Sequence, residues 1–211
     1  MLREFLLAAR RPALTAVLCL HVALVAGFTL VWHRGMPVLA GANPYEQQRL
    51  VQWIVLWGLL PWTAVRCAAP DGATGLARVS AVLAVRPSSV VVAKFLALSG
   101  VLMLVGMAGL PAVILALQMS ALPLSALPAH LFSLAALALL VAAAAVASSL
   151  AVQGRLAAWL LAAGSSGVVL LALSASLPAG LLAWLAAGAT GSAIAAATAR
   201  WSDTAHRYCY E

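Results

Sequence analysis

The chain has 211 residues, 65% of them hydrophobic and only 8% charged, with a formal net charge of +7 and a mean hydropathy of +1.06. A soluble domain is about 45–50% apolar and about 25% charged, so too few charges remain here to coat a water-soluble globule. A soluble enzyme, a disordered tail and a secreted disulfide scaffold are excluded, which leaves an all-α polytopic membrane protein.

Taken in chain order, Leu2-Arg3-Glu4-Phe5-Leu6-Leu7 with Arg10-Arg11 reads as an interfacial amphipathic helix over 1–11 that stops at Pro12. A span needs about 20 mostly apolar residues, and the first runs over 13–32. It is long enough to cross and no A-x-A site follows, so it is not a cleavable signal. A polar stretch, His33 to Arg49, leads to a short second span over 50–65 that carries Pro61 and is expected to borrow residues upstream. The segment Arg66 to Lys94 holds four basic residues and does not cross lipid as a unit. The third span is expected over 95–117, and the loop Gln118 to Pro128 is turn-prone. The fourth covers 130–152, Gln153-Gly154-Arg155 is a tight turn, and the fifth covers 156–174. A brief Ser-Leu-Pro link precedes the sixth, 179–199, and Arg200 to Glu211 is a polar tail. The whole is a single transmembrane domain.

Basic residues set the orientation, because they accumulate on the cytoplasmic side. With the N-terminus inside, Arg3, Arg10, Arg11, Arg66, Arg78, Arg86, Lys94, Arg155, Arg200 and Arg207 face the cytoplasm; these are ten of the twelve. Only Arg34 and Arg49 stay outside. Six helices with both termini in the cytoplasm follow. The positive balance is thereby explained by topology and membrane lipid, with no nucleic-acid partner. Trp32, Trp53 and Trp57 are expected as an aromatic belt near the outer end of the first helix pair.

Several chemistries are missing. Cys19, Cys67 and Cys209 are scattered, with neither a disulfide framework nor metal-ligand spacing. None of the five acidic residues (Glu4, Glu46, Asp71, Asp203, Glu211) is expected within a span, which disfavours a self-contained ion-coupled carrier. There is no Walker A loop, since the only lysine, Lys94, follows Ala93. The chain is not read as an enzyme and is expected to hold no cofactor; any ATP and magnesium belong to a partner. Gly164-Ser165-Ser166-Gly167 matches the GxSG around the nucleophile of rhomboid-type proteases. A serine nucleophile needs a base in reach, and the only later histidine is His206 in the tail, so Gly164 and Gly167 are read as packing positions.

His21, near the middle of the first span, is a pathway candidate, either buried or pore-facing. A haem-ligand role is the lesser reading, because His33 and His130 look peripheral and leave it no deep partner. Ala142 to Ala145 and Gly188…Gly191-Ser192 offer faces for close helix approach, which small residues permit in lipid.

Between the second and third spans, Leu76, Val79 and Leu83 recur at helical spacing while Arg78 and Ser80 lie off that stripe. Pro87 stops this helix at or before Arg86, and Ser88 or Ser89 is placed to cap the next. A short amphipathic helix over about 73–86 therefore lies along the cytoplasmic surface, as a plain connector or as a lever. The run Asp71-Gly72-Ala73-Thr74-Gly75-Leu76 … Leu83-Ala84-Val85-Arg86-Pro87-Ser88-Ser89-Val90-Val91-Val92-Ala93-Lys94-Phe95 resembles the coupling-helix region of ABC-2 type permeases. Its small size and wording are similar to the haem-exporter-B-like permeases of cytochrome c maturation. The family's acidic-Arg-Gly start lacks its arginine here, and Ser174 to Pro178 is too short for the external re-entrant helices of some members.

The resemblance implies a permease subunit whose coupling helix (Gly75, Leu76, Arg78, Val79, Leu83, Arg86) docks on a cytoplasmic ABC ATPase subunit. Two ATPase copies and a second permease copy, identical or similar, would complete the assembly. Family members mostly export, and an uncharged interior suits an amphipathic or hydrophobic cargo. The alternative is a membrane scaffold or assembly subunit of a maturation complex that moves nothing itself.

Overall fold

The computed structural model describes residues 12–33, 43–68, 86–152, 154–176 and 180–210. Among these the chain is all-α: α1 Pro12–His33, α2 Pro44–Ala68, α3 Pro87–Met107, α4 Leu110–Met119, α5 Leu127–Ala151, α6 Arg155–Ser176 and α7 Leu181–Tyr210, with a 3-10 turn at Leu124–Ala126 before α5. Six segments are long and apolar enough to cross a membrane, as an integral membrane protein requires. The expected interfacial helix over 1–11, and the coupling helix apart from Arg86, lie outside the described residues.

The second span does borrow residues upstream, from what reads as a polar loop. Asn43 Oδ1 accepts the Glu46 N–H at 2.8 Å, Pro44 occupies the first helical position, and Glu46 stands in the first turn. Each of these favours a helix start at that point, and α2 then runs through Pro61 to Ala68. Glu46 is therefore inside a potential span, at its end, and Asp203 lies in the last turn of another, Leu182–Thr204, contrary to the expectation that no acidic residue would be.

The third span is interrupted. Pro111 has no N–H, and its ring cannot accommodate the carbonyl of Met107 one turn back. The ladder breaks over Ala108 and Gly109, leaving α3 and the ten-residue α4 as separate helices. α4 ends in a full Schellman motif: Leu122 N–H donates to the Leu117 carbonyl at 3.1 Å and Ala121 N–H to the Gln118 carbonyl at 3.1 Å. Ala121 takes the left-handed conformation at φ 51°, and Leu122 packs beside Leu117, Val113 and Tyr45.

The sixth span also differs from its expected bounds. α7 continues to Tyr210, so what reads as a polar tail is helical and brings Asp203 to the start of α3. Neither Ser88 nor Ser89 caps that start. Arg86 is the N-cap residue, extended at φ −62° and ψ 136°, with no side-chain cap; the Ser88 N–H instead donates to Asp203 Oδ1 at 2.9 Å.

α5 is the hub and packs against α2, α3, α6 and α7. Buried positions make up 72% of its span, against 17% in α1 and in α6, so the last two keep broad faces for lipid or another subunit. The alanine run does pack as its composition suggests: Ala142, Ala143 and Ala145 are fully buried. A β-carbon on Gly191 would stand 2.9 Å from the backbone of Leu139 and Leu140, so α7 crosses α5 backbone to backbone. Gly167 likewise accommodates the Trp57 ring, whereas Gly164 has nothing near it and is not a packing position. Trp53 meets Trp184 edge-on at 4.0 Å between ring centroids.

Candidate functional site

α1 and α2 run antiparallel, and their shared face is polar where α4 begins. Thr29 donates to the Val25 carbonyl at 2.9 Å and lies 3.2 Å from Gln48 Oε1, while Gln48 Nε2 reaches the same carbonyl at 3.4 Å. One turn further along α2, Gln52 is fully buried. Its Nε2 donates to the Gly106 carbonyl at 2.9 Å, and its Oε1 lies 3.0 Å from His130 Nε2. Because the amide oxygen faces the ring, the His130 proton is assigned to Nε2. Nδ1 is left as a buried acceptor without a partner.

His21 enters the same cluster from α1. It is 0% exposed, and neither ring nitrogen has a hydrogen-bond partner. A β-carbon on Gly109 would stand 2.9 Å from His21 Nε2 and 2.7 Å from Gln52 Nε2. Both nitrogens thus converge on the notch left by this glycine, the N-cap residue of α4. On the side of the 3-10 turn the cluster continues through Tyr45, whose ring meets His130 edge-on at 6.3 Å. Tyr45 N–H donates to Ser120 Oγ at 3.0 Å, and Arg49, paired with Glu46 at 2.8 Å, lies 5.8 Å from the Tyr45 ring centroid.

The sequence pointed to one member of this cluster, His21, and missed the rest. His130 is buried and joined to Gln52, the same residue whose Nε2 lies with His21 against Gly109. Two signals were legible: the glutamines at 47, 48 and 52 on one side of a spanning helix, and Gly106…Gly109-Leu110-Pro111, a helix-breaking pattern inside an apolar run. Of the coupling-region residues, Gly75, Leu76, Arg78, Val79 and Leu83 lie outside the described residues, and Arg86 is exposed at the start of α3. The GxSG serine has no nucleophilic setting. Ser166 is buried, and its hydroxyl donates to the Ala162 carbonyl of its own helix at 2.8 Å.

Among the described residues no group of three or more His, Cys, Asp or Glu side chains is placed to hold a metal ion. The cluster gathers amides and imidazoles at a helix break, with both His21 ring nitrogens and His130 Nδ1 left without partners. An all-α chain with six potential spans and a polar interior seam is the class of molecule these features define. Comparison with protein-family models, curated proteins and solved structures finds no match to this chain.

Proposed function

We propose that the chain is the membrane-spanning permease subunit of an ATP-driven ABC transporter of the ABC-2 type, exporting an amphipathic or hydrophobic cargo. Both termini face the cytoplasm of a bacterial inner membrane, and ATP is hydrolysed by two copies of a separate ATPase subunit. A second permease copy, or a similar partner, completes the pathway. The observation that carries this reading is the segment between α2 and α3, where a basic, amphipathic stretch over about 73–86 resembles a coupling helix. Closure of the motor would push on Leu76, Val79 and Leu83, and α3 would move as a rigid unit with α7, because Asp203 holds its first turn; such rigid-body motion is the usual form of switching. Arg66, Arg78 and Arg86 face acidic groups on the motor or anionic lipid.

Co-purification in mild detergent tests this reading. An ATPase subunit is expected to co-elute with the tagged chain, and Leu76→Asp with Val79→Asp is expected to release it while the chain still inserts. If no ATPase appears, or if binding ignores the double change, the coupling reading fails and a scaffold subunit of a maturation complex takes its place.

A further inference from the structure

We propose that the break between α3 and α4, where His21 and Gln52 meet the N-terminus of α4, is a binding site for an anionic oxygen group, such as the acidic headgroup of an amphipathic cargo. The assignment of that group to a cargo rests on the permease reading above; the site itself does not. The N-terminus of a helix carries a partial positive charge and suits anions, and interrupted spanning helices use such ends to hold acidic groups within the membrane. Here the end is furnished with a second feature. His21 is 0% exposed, and both its ring nitrogens are without partners, a costly state for a buried polar group. Its Nε2 packs against Gly109 together with Gln52 Nε2, so closely that a β-carbon there would clash with both. One Gln52 N–H is used on the Gly106 carbonyl, and the other is free to donate.

At the opposite half of the break the carbonyls of Leu104, Val105 and Gly106 accept from the N–H groups of Ala108 and Gly109, and Gly106 also accepts from Gln52, while the Met107 carbonyl meets no N–H at Pro111. Glu46 is paired with Arg49 and so adds no net negative charge, and no other carboxylate is among the residues that build the cluster. An acidic headgroup would take its bonds from His21 and Gln52 at the α4 end, with its tail along the apolar surfaces of α1 and α4.

The test uses the whole chain in a non-ionic detergent at pH 8 without any ATPase, so its result is independent of the co-purification outcome. Dodecanoate, dodecanol and acetate are titrated while tryptophan fluorescence is followed, to which Trp53 beside Gln52 contributes. Dodecanoate is expected to half-saturate at a concentration at least about tenfold below dodecanol, a difference of about 1.4 kcal/mol. In His21→Ala, and separately in Gly109→Ala, that ratio is expected to fall below about threefold. Acetate competing as well as dodecanoate keeps the anion site but assigns it to a free small anion instead of a cargo headgroup. Equal binding of acid and alcohol by the unaltered chain overturns the proposal. So does an undiminished preference in His21→Ala, or in His21→Phe if the alanine variant does not fold.

Discussion

Asp203 Oδ1 accepts the backbone N–H of Ser88 at 2.9 Å, so the last helix of the chain caps the third. α3 opens with an extended residue, a proline and no cap of its own, and a helix start leaves several N–H groups unpaired. A carboxylate placed there satisfies one of them and complements the helix dipole. Asp203→Ala is expected to cost about 1 kcal/mol, lowering Tm by about 2–4 °C in detergent. Ser88→Ala should change stability by less than about 0.5 kcal/mol, because the bond uses its backbone. Equal losses in the two variants would contradict the cap.

The crossing of α7 over α5 depends on one glycine. A β-carbon on Gly191 meets backbone atoms of Leu139 and Leu140 at 2.9 Å, whereas on Gly188 its nearest neighbours are 3.8 Å away. Backbone cannot rotate aside as a side chain can. Gly191→Ala is expected to destabilise by about 1–3 kcal/mol through overpacking, and Gly188→Ala by less than about 0.5 kcal/mol. Thermal unfolding of the two variants in one detergent compares them directly.

Gln52 ties three helices together, with one bond to Gly106 on α3 and one to His130 on α5. Replacing it by leucine strands a buried imidazole N–H, which costs about 1–3 kcal/mol. Replacing both partners by apolar groups removes the stranded donor. The double variant Gln52→Leu with His130→Leu is therefore expected to recover a measurable part of the loss of Gln52→Leu alone. A purely additive cycle would show that the two side chains do not depend on each other.

Ala121 holds a position that favours glycine. It closes α4 at φ 51°, where a β-carbon crowds the following carbonyl, and both bonds of the Schellman motif depend on that conformation. Ala121→Gly is expected to raise stability by about 0.5–1 kcal/mol even though glycine loosens the unfolded chain. A fall in Tm would mean that the turn does not hold this geometry in the folded protein.

The number of potential spans was legible from the apolar runs alone, because an apolar run of spanning length has few other stable fates. So was the tight packing of Ala142 to Ala145, since small residues in lipid are there to be approached. Local chemistry also placed two boundaries within reach of a reader: Asn43-Pro44 starts α2, and Pro111 interrupts the third span. What the sequence could not decide was which polar groups meet. His130 looks peripheral by its position in the chain, yet it is buried because α5 sits at the centre and carries it onto α2. Asp203 looks like tail and acts as a cap, because α7 is long enough to reach the start of α3. His21 and Gln52 converge on Gly109 from helices that share no sequence signal. Periodicity reports which face of a helix is apolar, but in a membrane both lipid and protein interior are apolar, so it cannot say which neighbour a face will meet. Only the tertiary packing sets those pairings.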